Sequence, residues 1–331
     1  MARVGLTTTI PVEVLLAGGH TPVDLNNLFI AAEDAPALVS RAELEGYPRN
    51  VCGWIKGIYA AAQQAGLDAI VAVTQGDCSQ THAMIETLQE QGMRIVPFAY
   101  PYDRDRPLLE LQMRRLAEHF QAAWADVEAV REALRPLREK IARLDRLTWE
   151  QGRVTGAENH LWQVSCSDFG GNAKGFETAL DAFLAQVEHR PPAADNRVRI
   201  GFMGVPTIYE DLYEVLEGFG AQVVFNEVQR QFTMADSLDD DIVTQYQRYT
   251  YPYDVFGRIE DVRREVARRR IDGIIHYTQS FCFRQIEDMI IKRALSAPVL
   301  TLEGDKPSPV DARNRLRIEA FVEMLQVEAD Y

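Results

Sequence analysis

The chain has 331 residues, and its 49 acidic against 35 basic side chains give a formal net charge of −14 at pH 7. That length exceeds one ordinary core and suits two or three α/β units; the acidic balance, with no basic stripe among aromatics, argues against a nucleic-acid partner. No run of about 18 apolar residues occurs, and Met1–Leu6 enters a strand pattern without an apolar signal segment, so no membrane partner is expected and the expected location is the cytoplasm.

Arg3–Leu6 reads as a strand, residues 11–17 as helix-like, and His20–Leu25 as the start of a second strand. Cys52 lies in Gly46–Trp54, where Pro48 and Asn50 signal a helix that continues through Ala62. In Asp68-Ala-Ile-Val-Ala-Val-Thr-Gln-Gly-Asp-Cys78 a β-branched run gives way to a polar loop, a cysteine and an amphipathic helix, and Arg94–Phe98 is the next strand, leading to a loop with Asp103. Residues 107–149 carry Leu, Ala, Glu and Arg at helical spacing interrupted by Pro136, which predicts two long helices in an inserted segment, 107–150. Asn159–Asp168 reads as a further strand or extended turn, Phe176–Val187 as a helix, and the Pro-rich stretch His189–Asn196 as a linker.

The second half repeats the first. Arg199–Phe202 opens a strand, Pro206 sits in the following loop, a helix-like stretch runs through Leu216, and Ala221–Phe225 is the next strand. Asp272-Gly-Ile-Ile-His-Tyr-Thr-Gln-Ser-Phe-Cys282 then matches residues 68–78 in outline, and Pro298–Leu302 precedes a loop with Asp305. The C-terminal residues Asn314–Leu325 place Leu316, Ile318, Phe321, Val322 and Leu325 on one helical face, with Arg313, Arg315 and Arg317 as a solvated helix start. The expected fold is therefore α/β: two Rossmann-like, doubly wound parallel-sheet halves from an internal duplication, with an inserted helical segment. The domains divide as 1–190, which includes the helical segment, and 197–331.

Four cysteines, at 52, 78, 166 and 282, are too scattered for a disulfide framework. An isolated cysteine most often fills a core, and Cys166, outside both repeat copies, is read that way. Cys78 and Cys282 occupy equivalent points of the repeat, at the carboxyl edge of a strand, where open α/β sheets place ligands. Together with Cys52 they would sit near helix N-termini, which favour thiolate and lower the ordinary pKa of about 8.5. Three such thiolates repel unless a metal neutralises them, so a metal or iron–sulfur site is expected. Cys78-x3-His82 with Cys52 and Cys282 is an alternative Cys3His zinc set. The loop Ser167–Gly175 lacks the order of a nucleotide-binding P-loop.

The chain resembles the 2-hydroxyacyl-CoA dehydratase and benzoyl-CoA reductase family, in particular the 2-hydroxyglutaryl-CoA dehydratase D-component. The resemblance rests on Thr7–Glu13, Gly18–Val23, Asn50-Val51-Cys52, Gly76-Asp77-Cys78, Ser280-Phe281-Cys282 and Arg313–Phe321 taken in order. It implies a [4Fe–4S] cluster held by Cys52, Cys78 and Cys282 with one iron open to substrate, water or a sulfur ligand. It also implies an ATP-dependent iron–sulfur activator that injects a low-potential electron, and ketyl-radical dehydration or reduction of an acyl-CoA. A homodimer, or a heterodimer with a related subunit, is part of the same implication. Thr8 falls where dehydratase subunits of the family can carry a Ser that holds substrate oxygen. Glu13 and His20 are further polar candidates near the open iron, although Glu13 in a first helical turn also suits a capping role. The chain is short for a full catalytic subunit, and no basic cluster awaits the CoA phosphates. Two other readings therefore stand: a reductase of small molecules with a double-cubane [8Fe–9S] cluster, for which one chain supplies half the cysteines, and a non-catalytic electron-transfer or cluster-carrying subunit.

Overall fold

A computed structural model describes residues 1–194 and 197–329. Asp195 and Asn196, the end of the expected linker, lie outside the described residues. The strands are β1 (Arg3–Leu6), β2 (Thr21–Asp24), β3 (Ala69–Gln75), β4 (Ile95–Ala99), β5 (Val198–Gly204), β6 (Ala221–Asn226), β7 (Gly273–Gln279) and β8 (Val299–Gly304). They form two four-stranded sheets of order β2-β1-β3-β4 and β6-β5-β7-β8, and every pair is parallel. Strands buried on both faces read as continuous apolar runs, as Ala69–Val73 does; Gly273–Tyr277 is also buried throughout but includes His276, whose Nδ1 meets the Asp288 carboxylate at 2.8 Å.

The duplication extends to single hydrogen bonds. The Arg3 N–H donates to the Asp68 carboxylate at 2.7 Å and the Asp68 N–H returns a bond to the Arg3 carbonyl at 2.9 Å; Arg199 and Asp272 make the same pair of contacts at 2.7 and 2.9 Å. Asp272 follows Asp68 by the interval that separates Cys282 from Cys78. In each sheet the chain leaves the first strand in one direction and returns to its other side, so the carboxyl ends of β1 and β3, and of β5 and β7, flank a switch point where loops diverge and leave a crevice.

The helical segment departs from expectation in number. Three helices, Arg106–His119, Trp124–Ala133 and Arg135–Trp149, replace the expected two. Pro136 sits in the first turn of the third, where its missing N–H costs nothing, so it starts a helix and does not split one. The segment read as strand or turn is a helix, Gly156–Val164, followed by a 3-10 turn at Ser165–Ser167. Thr155 accepts from the Glu158 N–H and Glu158 returns a bond to the Thr155 N–H; this reciprocal cap, written in the sequence as Thr-x-x-Glu, nucleates the helix. The helices Ala173–Val187 and Ala312–Ala329 form where expected. Among the described residues no helix is long and apolar enough to cross a membrane.

Candidate functional site

The two switch points face one cleft of about 1070 Å³, counting the solvent at its mouth, and Cys52, Cys78 and Cys282 all line it. Each cysteine is the residue immediately before a helical turn: Gly53–Gln64, Ser79–Glu90 and the 3-10 turn Phe283–Gln285. The backbone N–H groups of Trp54 and Ile55 beside Cys52, of Gln80 and Thr81 beside Cys78 and of Arg284 beside Cys282 favour the thiolates, without closing a capping hydrogen bond to any of the three sulfurs. The Thr81 hydroxyl adds a contact to Cys78 Sγ at 3.5 Å. Helix geometry leaves first-turn N–H groups without intrahelical acceptors, although the Thr81 N–H donates to the Cys78 carbonyl at 3.1 Å.

The expected lowering of the thiol pKa values is overturned. Burial pushes Cys52 up to about 12 despite its two N–H donors, and burial also raises Cys78 and Cys282. Removing a thiolate from water costs more here than a helix terminus returns, so the metal-free cleft holds three neutral thiols.

The halves meet closely around Cys52. A Cβ on Gly53 would collide with the Asp305 carbonyl of the second half, itself held by Gln279 Nε2 at 2.6 Å. Gly76, next to Asp77 and Cys78, adopts φ +102 and lies against Pro252, a conformation that a side chain would strain. Gly53→Ala is expected to lower stability by about 1–3 kcal/mol through overpacking and to hasten labelling of Cys52 by a thiol reagent. Chemical denaturation and timed labelling measure the two effects.

The other expected site residues separate. Thr8, half-buried in the loop after β1, lines the cleft. Glu13 does not: its carboxylate is fully buried and accepts from Arg138 Nη2 at 2.6 Å, Gln245 Nε2 at 2.8 Å and the Tyr246 hydroxyl at 2.8 Å. Burial opposes its ionisation, but the Arg138 charge and these bonds hold it below the usual carboxylate range. His20 precedes β2, at the amino edge of the sheet, whereas the cleft opens at the carboxyl edge; its ring nitrogens meet the Ala2 N–H and the Phe120 carbonyl. His82 is exposed and its Nε2 contacts the Thr74 carbonyl at 2.6 Å, outside the cleft lining, so it does not complete a Cys3His set. Cys166 is buried in the core of the helical segment and donates to the Trp162 carbonyl.

Several cleft residues have no local sequence signature. His160 is packed against Tyr213, with Nδ1 3.2 Å from Gln229 Nε2, and burial pulls its pKa down to about 4. Tyr251 lies under the Arg284 guanidinium at 4.1 Å. Asp24 is buried at the cleft wall beside Asp168, whose carboxylate accepts the Asp24 N–H at 2.7 Å; burial raises both, and repulsion from Asp24 helps to raise Asp168 to about 6. Asp77 is likewise raised to about 6 by burial. Phe283, which lines the cleft, is exposed, and so are Phe281, Ile286 and Met289 in the same segment of chain.

No curated protein matches the chain. The family model for 2-hydroxyglutaryl-CoA dehydratase, D-component, matches residues 7–325, which takes in every strand after β1, all three cleft cysteines and the helical segment between the halves. The chain belongs to the 2-hydroxyglutaryl-CoA dehydratase D-component family.

Proposed function

We propose that the protein is an iron–sulfur subunit of the 2-hydroxyacyl-CoA dehydratase type, in which Cys52, Cys78 and Cys282 hold a [4Fe–4S] cluster for one-electron dehydration or reduction of an acyl-CoA. The observation that carries this reading is the convergence of three cysteines from two halves on one cleft, each immediately before a helical turn. The donor set suits a cluster. Among the described residues no three His, Cys, Asp or Glu side chains gather tightly enough for a single ion. A tetrahedral ion with bonds of about 2.3 Å draws its sulfurs to within about 4 Å of one another, while a cubane takes each thiolate on a separate iron. Hydrogen bonds to sulfur are also a known lever on cluster potential.

When bound, such a cluster supplies low-potential electrons one at a time and, with three protein thiolates, an iron open to a substrate oxygen. The chain's own part is binding and exclusion. Thr8 offers a hydroxyl to a substrate oxygen, and His160, neutral at pH 7, offers a ring nitrogen without charging the cleft. Trp54, Ile55, Ile58 and Val205 form apolar wall. An ATP-dependent activator and a second subunit belong to the same reading; the exposed apolar side chains of Phe281, Phe283, Ile286 and Met289 support a protein partner beside the cleft.

One observation favours a second reading, a small neutral acceptor reduced by a double-cubane [8Fe–9S] site shared between two copies. Arg284 is the one Arg or Lys among the cleft-lining residues, and it is committed to Glu287 and the Tyr251 carbonyl. CoA phosphates would have to bind outside the cleft. Iron and sulfide per chain of anaerobically purified protein test both readings: about four irons and a brown colour support either site, since eight irons shared between two copies are also about four per chain, and colourless protein with one zinc sinks both. Turnover of a 2-hydroxyacyl-CoA with activator and ATP then separates dehydratase from carrier.

A further inference from the structure

The three cysteine loops are joined by a side chain that carries no sulfur. Gln80 stands two residues past Cys78, in the first turn of helix Ser79–Glu90, and its own N–H favours the Cys78 thiolate. Its Oε1 accepts from the Cys52 N–H at 2.9 Å, and its Nε2 donates to the Phe281 carbonyl at 3.4 Å. A donor on one side and an acceptor on the other fix which end of the amide is which. One residue therefore touches the loop of each cysteine, and in reaching Phe281 it crosses from the first half to the second.

The repeat supplies a built-in comparison. Arg284 stands two residues past Cys282, as Gln80 does past Cys78, and Arg284 Nη2 donates to the Tyr251 carbonyl at 2.7 Å. Tyr251 lies in the loop ahead of helix Val255–Arg269, just as Cys52 lies ahead of Gly53–Gln64. In both halves, then, this residue grips the loop that begins the preceding helix. Arg284 spends its remaining contacts in its own half, on Glu287 and the Tyr251 ring. Gln80 spends its second contact across the cleft. A guanidinium cannot accept the Cys52 N–H, and a carboxylate cannot donate to the Phe281 carbonyl, so of these three groups the amide alone makes both contacts.

We propose that Gln80 is the positioning residue of the three-cysteine cleft, its amide setting the spacing between Cys52 and Cys282 across the two halves before any metal arrives. The consequence for iron rests on the cluster reading above; the spacing itself does not. The first arm of the test uses metal-free full-length protein in a Cys78→Ser, Cys166→Ser background, which leaves Cys52 and Cys282 as the reactive pair. A short bifunctional thiol reagent should bridge them about tenfold more slowly once Gln80→Ala removes two hydrogen bonds. The second arm uses otherwise wild-type protein reconstituted with ferrous iron and sulfide. Gln80→Ala should release iron to a chelator about tenfold faster, the usual scale for losing an outer contact to a ligand. Gln80→Glu keeps the acceptor for Cys52 and adds negative charge beside the sulfurs. It should retain more iron than Gln80→Ala and shift the midpoint potential to more negative values, which a merely structural role would not produce. Bridging of Cys52 and Cys282 at an unchanged rate in Gln80→Ala overturns the proposal, whereas failure of the wild-type chain to take up iron overturns the cluster reading.

Discussion

Serine in place of Cys52, Cys78 or Cys282 is expected to abolish the brown colour and reduce iron from about four per chain to near zero, while Cys166→Ser keeps both. Serine preserves size but offers a hydroxyl that stays protonated and binds iron poorly, so the loss isolates ligation from packing. The contrast with Cys166 is informative because both Cys52 and Cys166 are buried in apolar surroundings. The Cys166 thiol already donates to the Trp162 carbonyl, a role a serine hydroxyl can take over. Metal analysis and the visible spectrum under anaerobic conditions decide the matter. Full iron content in Cys78→Ser would falsify the ligand set.

Glu13→Gln is expected to cost about 3–5 kcal/mol of stability, because it leaves the Arg138 guanidinium buried without its counter-charge. Arg138 is 2 % exposed, Glu13 is fully buried, and their contacts tie the first helix of the chain to helices Arg135–Trp149 and Ile242–Arg248. Glu13 has its pKa depressed on folding, so the stability it contributes is present above the unfolded carboxylate value of about 4.3. That contribution is lost as pH falls through the lower folded value. The gap in unfolding free energy between wild type and Glu13→Gln should therefore be full at pH 7 and shrink on acidification below about pH 4. Iron per folded chain should not change. Urea titrations at the two pH values measure the effect; unaltered stability with lost turnover would instead place Glu13 in the chemistry.

Much of the fold was legible because its signals are local. The β-branched runs at Ala69–Val73 and Gly273–Tyr277, each ending in a loop and a cysteine, identify two equivalent strand ends, and an equivalent strand end in a parallel sheet is an equivalent place in space. In helix Gly156–Val164 the cap is spelled out by Thr155-Gly156-Ala157-Glu158, but the polar residues Asn159, His160 and Gln163 obscure the apolar period. Closeness in sequence places Glu13 and His20 with Thr8. A helix then carries Glu13 away toward Arg138, and the return of the chain leaves His20 at the opposite edge of the sheet. His160 and Tyr251 reach the cleft, and Gln80 reaches Cys52 and Phe281, through tertiary packing, and no spacing in the sequence marks such an arrival. The thiol pKa shift reversed sign because its larger cause, burial, depends on the far half of the chain.

The matching Arg3–Asp68 and Arg199–Asp272 contacts have a consequence in the arithmetic of symmetry. Two identical half-length chains related by a twofold axis present every residue twice, so any cleft between them is lined by cysteines in even number. This cleft has three. At the loop where a fourth would complete the symmetry, the second half offers Tyr251, gripped by Arg284 as Cys52 is gripped by Gln80. An odd set of cysteines is accessible only to halves free to diverge, as two halves of one polypeptide are.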